Sequence, residues 1–523
     1  MSTLHHEPLL PHLIITALER FEHEPCIHLG DQVLSYADVR RQTSQLIQVL
    51  RSRGIARGAR LAVLSKNRPE VLTNLTASMI NGSVITPLHP MGSFDDHAYV
   101  IGAASIECLV VDVDHFAERT SQLRERFPDL VVLGLGPSDV ADDYLELAAT
   151  FEPQPLVAPD IGPDDLCTLA YTGGTTGLPK GVLLPQRVWS NLTFIQMAEW
   201  EFPREVRMLV ATPLSHAAMT LLGPVLLHGG VFHVMEAFSP DGFFDLVETH
   251  RITTTMIVPV MLYALQGNER YRTADMSSME TIFYGASPMS PPKLADAIDL
   301  WGSIFFQFYG QSEAPMVIAH MKKDEHDLSK PERLASCGRP APWVHVALLG
   351  PDDQPTGPGE PGEICARGPL VMVGYHDMAD QTAETLSGDW LHTGDVGRFD
   401  DEGFLYIVDR TKDMVITGGF NVFPREVEDV ISTHAAVNTV MVVGVPDDKW
   451  GEAVKAVVVL APGFESSDEL TAEIQALVKE AKGSQQSPKT VDYVDAVPLT
   501  PVGKPDKKAV RARYWSGTDR SVG

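Results

Sequence analysis

The chain is short of positive charge, of paired cysteines and of long apolar runs. Over 523 residues, 41 lysines and arginines face 69 aspartates and glutamates, a formal charge of −28. That balance gives no broad attraction to nucleic acid or anionic lipid. It excludes a DNA partner more firmly than a nucleotide, because screening over about 8 Å lets a local basic cluster outweigh distant carboxylates. The five cysteines, Cys26, Cys108, Cys167, Cys337 and Cys365, lie far apart with no CxxC spacing. They read as reduced core thiols of a cytoplasmic protein, not as a disulfide frame or zinc site. The start, MSTLHHEPLLPHLIITALERF, lacks the basic residues and small-residue cleavage site of a signal peptide. The most apolar region, MLVATPLSHAAMTLLGPVLLHGGVFHVMEAF, is interrupted by Pro213, His216, Pro224 and His228. A spanning helix needs about 20 predominantly apolar residues, so a buried core segment is expected here and no membrane span.

What is present is an ordinary globular composition, 44% hydrophobic and 21% charged, on a chain long enough for several structural units. Near the N-terminus, SYADVRRQTSQLIQVLRSRG opens with a capping pair, Ser35 and Asp38. It carries Val39, Leu46, Ile47 and Leu50 on one face and stops at Gly54. RLAVLS and SVITPLHP then read as short buried strands around a helix at RPEVLTNLTASMI, which is βαβ logic. From Cys337 to about Tyr406, short strands alternate with turn-rich stretches such as GPDDQPTGPGEPGE, as in a small β unit. After DRTKD the texture changes again: a helix start at FPREVEDVI, strands at TVMVVGV and VKAVVVLA, and a helix at DELTAEIQALVKEAKG with Leu470, Ile474, Leu477 and Val478 on one face. The expected fold is α/β: a large N-terminal domain, 1–410, of alternating helices and strands with a β-barrel-like subdomain at about 337–406, and a small mobile α+β domain, 411–523.

The stretch YTGGTTGLPKGV follows a strand-like DLCTLAY and packs four glycines, three threonines and Lys180 together. Glycines let successive backbone N–H groups converge on phosphate oxygens, while the threonine hydroxyls and the lysine add donors. It is not the Walker pattern, in which lysine follows glycine directly and precedes Ser or Thr. By itself it suits a phosphate loop and a surface loop equally.

Four further stretches appear downstream: FYGQSE at 308–313, HTGD at 392–395, DRTKDMVITGGFNVFPREVE, and TPVGKPDKKAVR with Lys504. With the first, they form five motifs in an order that resembles the acyl-adenylate-forming superfamily of acyl- and aryl-CoA ligases, peptide-synthetase adenylation domains and beetle luciferases. The resemblance, nearest the acyl-CoA synthetase branch, extends from Tyr171 to near Arg511. It implies that Thr172, Gly173, Gly174, Thr175, Thr176 and Lys180 hold the β- and γ-phosphates of ATP. It also implies that Gly285, Ala286, Ser287 and Tyr309, with Gly310, Gln311 and Ser312, frame the adenine end, and that Glu313 binds Mg²⁺. Asp395, assisted by Arg410, would accept the ribose hydroxyls, and Lys504 would bridge the acid's carboxylate and the α-phosphate. Lys504, Glu313, Lys180 and His216 are the implied catalytic set. Lys412 would be the hinge about which the C-terminal domain turns between an adenylating and a thiol-accepting arrangement. Gly173 stands where many relatives carry serine, and Ser312 where threonine is common.

In PLSHAAM, members that activate amino acids carry an aspartate at the position of Ala217, which pairs with the substrate ammonium; an unpaired buried ammonium would be costly, so α-amino acids are disfavoured. His216, Ala217, Ala218, Met219, Tyr284, Gly285, Ala314 and Met316 are the expected walls of an acyl pocket for an apolar monocarboxylate. Gly418 and Gly419 would pass a pantetheine arm, and Trp450 would offer an aromatic face to coenzyme A. The implied reaction forms acyl-AMP and then acyl-CoA, AMP and pyrophosphate. A stand-alone acyl carrier protein as thiol acceptor, a homodimer, a luciferase-like oxygenase and a non-catalytic nucleotide-binding homologue remain as alternatives.

Overall fold

The structure is a computed structural model and describes residues 8–29, 32–172, 179–410, 413–417, 420–447, 449–499 and 505–515. The expected first helix after Ser35 is Tyr36–Ser52, and its start is a reciprocal capping box. Asp38 N donates to Ser35 Oγ at 3.1 Å, and Ser35 N donates to Asp38 Oδ2 at 3.0 Å. Val39, Leu46, Ile47 and Leu50 are all buried. Strands Arg60–Leu64 and Val84–Leu88 pair in parallel, with helix Pro69–Asn81 as the crossover between them.

Two large sheets carry the molecule. The first has nine strands in the order Arg339–Pro340, Ala314–Met321, Phe305–Gln311, Thr281–Gly285, Thr254–Ile257, Arg207–Val210, Val231–Val234, Pro25–Leu29 and Gln32–Ser35. From Phe305–Gln311 to Pro25–Leu29 all neighbours are parallel. The second has eight, in the order Gly374–Tyr375, Lys180–Pro185, Leu166–Thr172, Val84–Leu88, Arg60–Leu64, Cys108–Val111, Val131–Gly134 and Asp142–Asp143. One continuous apolar cluster contains Leu50 and Leu61 together with Leu192, Phe283 and Phe308, so the two sheets share a core. The apolar region near residue 220 lies in it as strand, short helix and strand. Among the described residues no helix is long and apolar enough to cross a membrane.

The turn-rich stretch forms a five-stranded antiparallel sheet: His345–Leu349, Gly362–Arg367, Trp390–Phe399 and Leu386–Ser387 in order, with Leu405–Arg410 on Trp390–Phe399. Two short strands leave it. Arg339–Pro340 edges the nine-stranded sheet and Gly374–Tyr375 the eight-stranded one, so this unit is tied to both. The first tie turns at Gly338, whose φ of +83° and closeness to the His320 carbonyl leave no room for a Cβ.

The C-terminal strands form a sheet with its own core. Phe420–Val422, Val415–Thr417, Gly451–Leu460 and Val437–Asp447 lie in order, with Thr490–Tyr493 parallel to Gly451–Leu460. Helices Pro424–Ile431 and Asp468–Lys482 bury Val427, Ile431, Ile474 and Val478 against it. All five cysteines are free and buried. Burial pushes Cys108 and Cys167 up to about 12, so these thiols stay protonated near neutrality.

Candidate active site

Parallel strands deliver the loops that follow them to one edge, and ligands of open α/β sheets bind there. In the nine-stranded sheet, Arg207–Val210 leads to His216–Met219, Thr281–Gly285 to Ala286–Ser287, and Phe305–Gln311 to Ser312–Glu313. The opposing sheet brings His89 after Val84–Leu88, and the His89 and His216 rings meet edge-on with centroids 4.7 Å apart. The loops that follow these strands in the two sheets therefore meet at His89 and His216. The backbone near these strand ends is unusually constrained. A Cβ at Gly285 would collide with Phe308 O and one at Gly310 with Met316 N. Ala286 and Met316, although not glycine, have φ of 64° and 66°.

Thr172 and Lys180 are the last register pair of the hairpin Leu166–Thr172 and Lys180–Pro185. Gly173, Gly174, Thr175 and Thr176, between them, lie outside the described residues. Lys180 Nζ stands 4.8 Å from the ring centroid of Tyr375, and Tyr375 Oη donates to Glu313 Oε1 at 2.7 Å. One tyrosine thus holds Lys180 on its ring face and Glu313, the expected metal carboxylate, on its hydroxyl. Burial first, and Glu313 next, push the Tyr375 phenol up from its ordinary value, so it remains a donor. Tyr375 belongs to no motif. It pairs with Val182 through a two-residue strand 62 residues downstream of Glu313, and no local signal announces it.

Asp395, buried on strand Trp390–Phe399, accepts the Tyr309 hydroxyl at 2.7 Å. Burial, then Asp395, pushes Tyr309 well above its ordinary value, which fixes Tyr309 as donor and Asp395 as acceptor. The turn before Asp395 is held by Glu363, whose Oε1 accepts Gly394 N at 2.9 Å and whose Oε2 lies 2.9 Å from His392 Nδ1. Thr393 Oγ1 donates to Ile364 O and accepts Asp395 N. Glu363 is a positioning residue that no motif contains. Arg410 is the backbone partner of Asp395.

Ala218, Met219, Ala314 and Met316 are buried in the core shared by the two sheets, with Ala217 and Ala286 at its margin. Tyr284 departs from the expected pocket. It projects from the opposite face of its strand into a second cluster with Ile282 and Phe305, and its hydroxyl lies 2.9 Å from His326 Nε2. His326 Nδ1 meets Lys322 O at 2.7 Å, so the neutral ring donates to the carbonyl and accepts from Tyr284. Burial holds His326 down to about 4 against an ordinary 6.5. The unfolded chain therefore takes up this proton first. The stability contributed is full above about 6.5 and is lost as pH falls from there towards about 4, with a slope of about 1.4 kcal/mol per pH unit. Thermal midpoints of the wild type and His326→Gln across this window should converge as pH falls; parallel curves would refute the assignment.

In the C-terminal unit, Lys412, Gly418, Gly419 and Lys504 lie outside the described residues. Trp450 is 42% exposed, with Lys449 Nζ 4.6 Å from its ring centroid. Asp447 Oδ1 accepts both Lys449 N and Trp450 N at 2.9 Å and fixes that turn. The unit meets the loop after strand Thr281–Gly285 through Arg425, whose Nη2 donates to Met289 O at 3.3 Å while its N–H donates to Asp409 Oδ2.

Compared with known proteins, residues 15–376 match the AMP-binding enzyme family, and residues 426–504 match the AMP-binding enzyme C-terminal domain. The chain belongs to the AMP-binding enzyme family. Within the family it is 49% identical over 523 residues to the medium/long-chain-fatty-acid–CoA ligase FadD8 of Mycobacterium tuberculosis, covering 98% of this chain and 91% of the relative. It is 37% identical over 505 residues to a feruloyl-CoA synthase of Amycolatopsis, covering 94% and 96%. The amide bond synthetase McbA of Marinactinospora thermotolerans superposes with a TM-score of 0.88 at 32% identity, over 96% of this chain and 99% of that one. The family read from the five motifs is the one found, in its acyl-CoA synthetase branch.

Proposed function

We propose that this AMP-binding enzyme activates an apolar carboxylic acid of medium or larger size with ATP and transfers the acyl group to coenzyme A, releasing AMP and pyrophosphate. The observations that carry this reading are the meeting of Lys180, Tyr375 and Glu313 and the pairing of Tyr309 with Asp395, with the small and apolar Ala217, Ala218, Met219 and Ala314 at neighbouring strand ends. The acid's carboxylate attacks the α-phosphorus of ATP and pyrophosphate leaves; the thiol then attacks the acyl carbonyl and AMP leaves. Both partners of the first step are anionic, so preorganised donors and cations supply most of the acceleration. Lys180, kept against Tyr375, draws charge towards the pyrophosphate, and Asp395 orients the ribose as a two-site acceptor.

Glu313 fits a magnesium site. It is a partly buried carboxylate whose Oε1 is oriented by Tyr375 and whose Oε2 has no hydrogen-bond partner among the described residues. When bound, Mg²⁺ supplies charge neutralisation on the phosphates. Trp450 and Lys449 form an exposed aromatic face with an adjoining cation, which suits the adenine and phosphates of CoA better than a packing role. Residues 411–523 act as the moving unit about Lys412, a division supported by the separate core of the C-terminal sheet.

Pyrophosphate release across a panel of acids tests the substrate class, and activity confined to acetate or benzoate would contradict it. Thioester formation, measured separately with CoA and with a phosphopantetheinylated carrier protein, tests the acceptor. Asp395→Asn is expected to raise the KM for ATP about 10–100-fold, the scale of one or two charge-assisted hydrogen bonds, with a smaller change in kcat. An unchanged KM would remove Asp395 from the ribose site.

A further inference from the structure

Three histidines from distant parts of the chain come together beside strand Arg207–Val210, where His233 is the register partner of Leu209. His28 and His233 are register partners on the parallel strands Pro25–Leu29 and Val231–Val234, so their side chains project side by side from one face. Their rings stack with centroids 4.0 Å apart. His250 closes helix Pro240–His250, and its ring lies 4.6 Å from His233 and 5.1 Å from His28. The next residue ties this helix end to the same strand, since Arg251 O accepts Arg207 Nε at 2.6 Å.

His233 is 3% exposed, and neither of its ring nitrogens has a hydrogen-bond partner among the described residues. A buried imidazole normally satisfies at least one nitrogen, and leaving both unmet costs the desolvation of each. Stacking alone compensates neither nitrogen; a shared ion would use one. One nitrogen from each of the three rings lies within 4.8 Å of the other two. Zinc–nitrogen bonds of about 2.0–2.1 Å put two ligands of a tetrahedral ion roughly 3.4 Å apart. Closing on one ion requires the stacked His28 and His233 rings to turn apart so that their in-plane lone pairs converge, a rotation about the soft χ2 of histidine.

We propose that His28, His233 and His250 bind a divalent transition metal of the zinc class, with water as the fourth ligand. Three neutral imidazoles without a carboxylate select a borderline ion such as Zn²⁺, Co²⁺ or Ni²⁺ over Mg²⁺ or Ca²⁺. The nearby Arg207 guanidinium is paired with Glu205 Oε2 at 2.6 Å, which offsets its repulsion of the ion. His28 and His250 are only partly buried and give the ion access to the buried His233. Bound there, the metal ties the N-terminal strand to an inner strand and a helix more than 200 residues away, a crosslink that raises resistance to unfolding.

The test is Co²⁺ titration of the untagged, chelator-stripped full chain. One equivalent per chain should give the visible d–d bands of tetrahedral nitrogen coordination and raise the thermal midpoint, and Zn²⁺ should displace it. His233→Ala should weaken binding by about 10–100-fold or more, at least the loss seen when a metal ligand's outer partner is removed. His28→Gln and His250→Gln, at partly exposed positions, should do the same and decide the matter if His233→Ala does not fold. His345→Gln, outside the cluster, should bind as the wild type does. Absence of stoichiometric Co²⁺ binding, or equal binding by the wild type and the folded cluster variants, would overturn the site.

Discussion

Lys504→Ala is expected to lose on the order of 10²–10³-fold or more in acid-dependent pyrophosphate release, the scale of removing one preorganised donor at the site where transition-state charge develops. The assignment rests on the motif TPVGKPDKKAVR. Among the described residues that flank it, Leu499 and Pro505 pair as an antiparallel bridge, and Lys507 Nζ lies 2.9 Å from Glu428 Oε1. Because Lys504 is proposed to neutralise the carboxylate and α-phosphate only while the acyl–phosphate bond forms, thioester formation from supplied acyl-adenylate should fall much less. Single-turnover assays of the two half-reactions, on protein whose thermal midpoint matches the wild type, separate the cases. Equal loss in both would argue against the role.

Glu313→Gln is the second large effect, with an expected loss of about 10²–10³-fold in adenylation. Glutamine is nearly isosteric and can still accept the Tyr375 hydroxyl through its carbonyl oxygen, so the loop should keep its shape while losing the negative charge. Binding of Mn²⁺ in the presence of a non-hydrolysable ATP analogue should weaken markedly, and the Mg²⁺ concentration for half-maximal rate should rise. Tyr375→Phe keeps the carboxylate and the aromatic face seen by Lys180 but frees Oε1, so its loss should be much smaller. Unaltered Mn²⁺ binding by Glu313→Gln would remove this carboxylate from the metal site.

The local signals in the sequence were sufficient to establish many of the elements and the family. The capping pair Ser35 and Asp38 set the start of helix Tyr36–Ser52, and the helix at Asp468–Lys482 ends where Gly483 takes a φ of +90°. These are interactions within one or two turns, which the residues dictate wherever they are placed. The five motifs named the family for the same reason: each is a contiguous run whose residue types suit one part of a nucleotide site. What sequence could not assign was which face of a strand buried on both sides looks into the site. Thr281–Gly285 is buried along its whole length and shows no alternation, so Tyr284 was indistinguishable from a pocket residue until pairing set its face towards His326. Nor could it join Tyr375 to Glu313 and Lys180, Glu363 to the Asp395 turn, or His28 to His233 and His250. Those contacts exist because crossovers bring strands from distant parts of the chain into register, and register is fixed by packing of the whole core rather than by any local preference of the residues that meet.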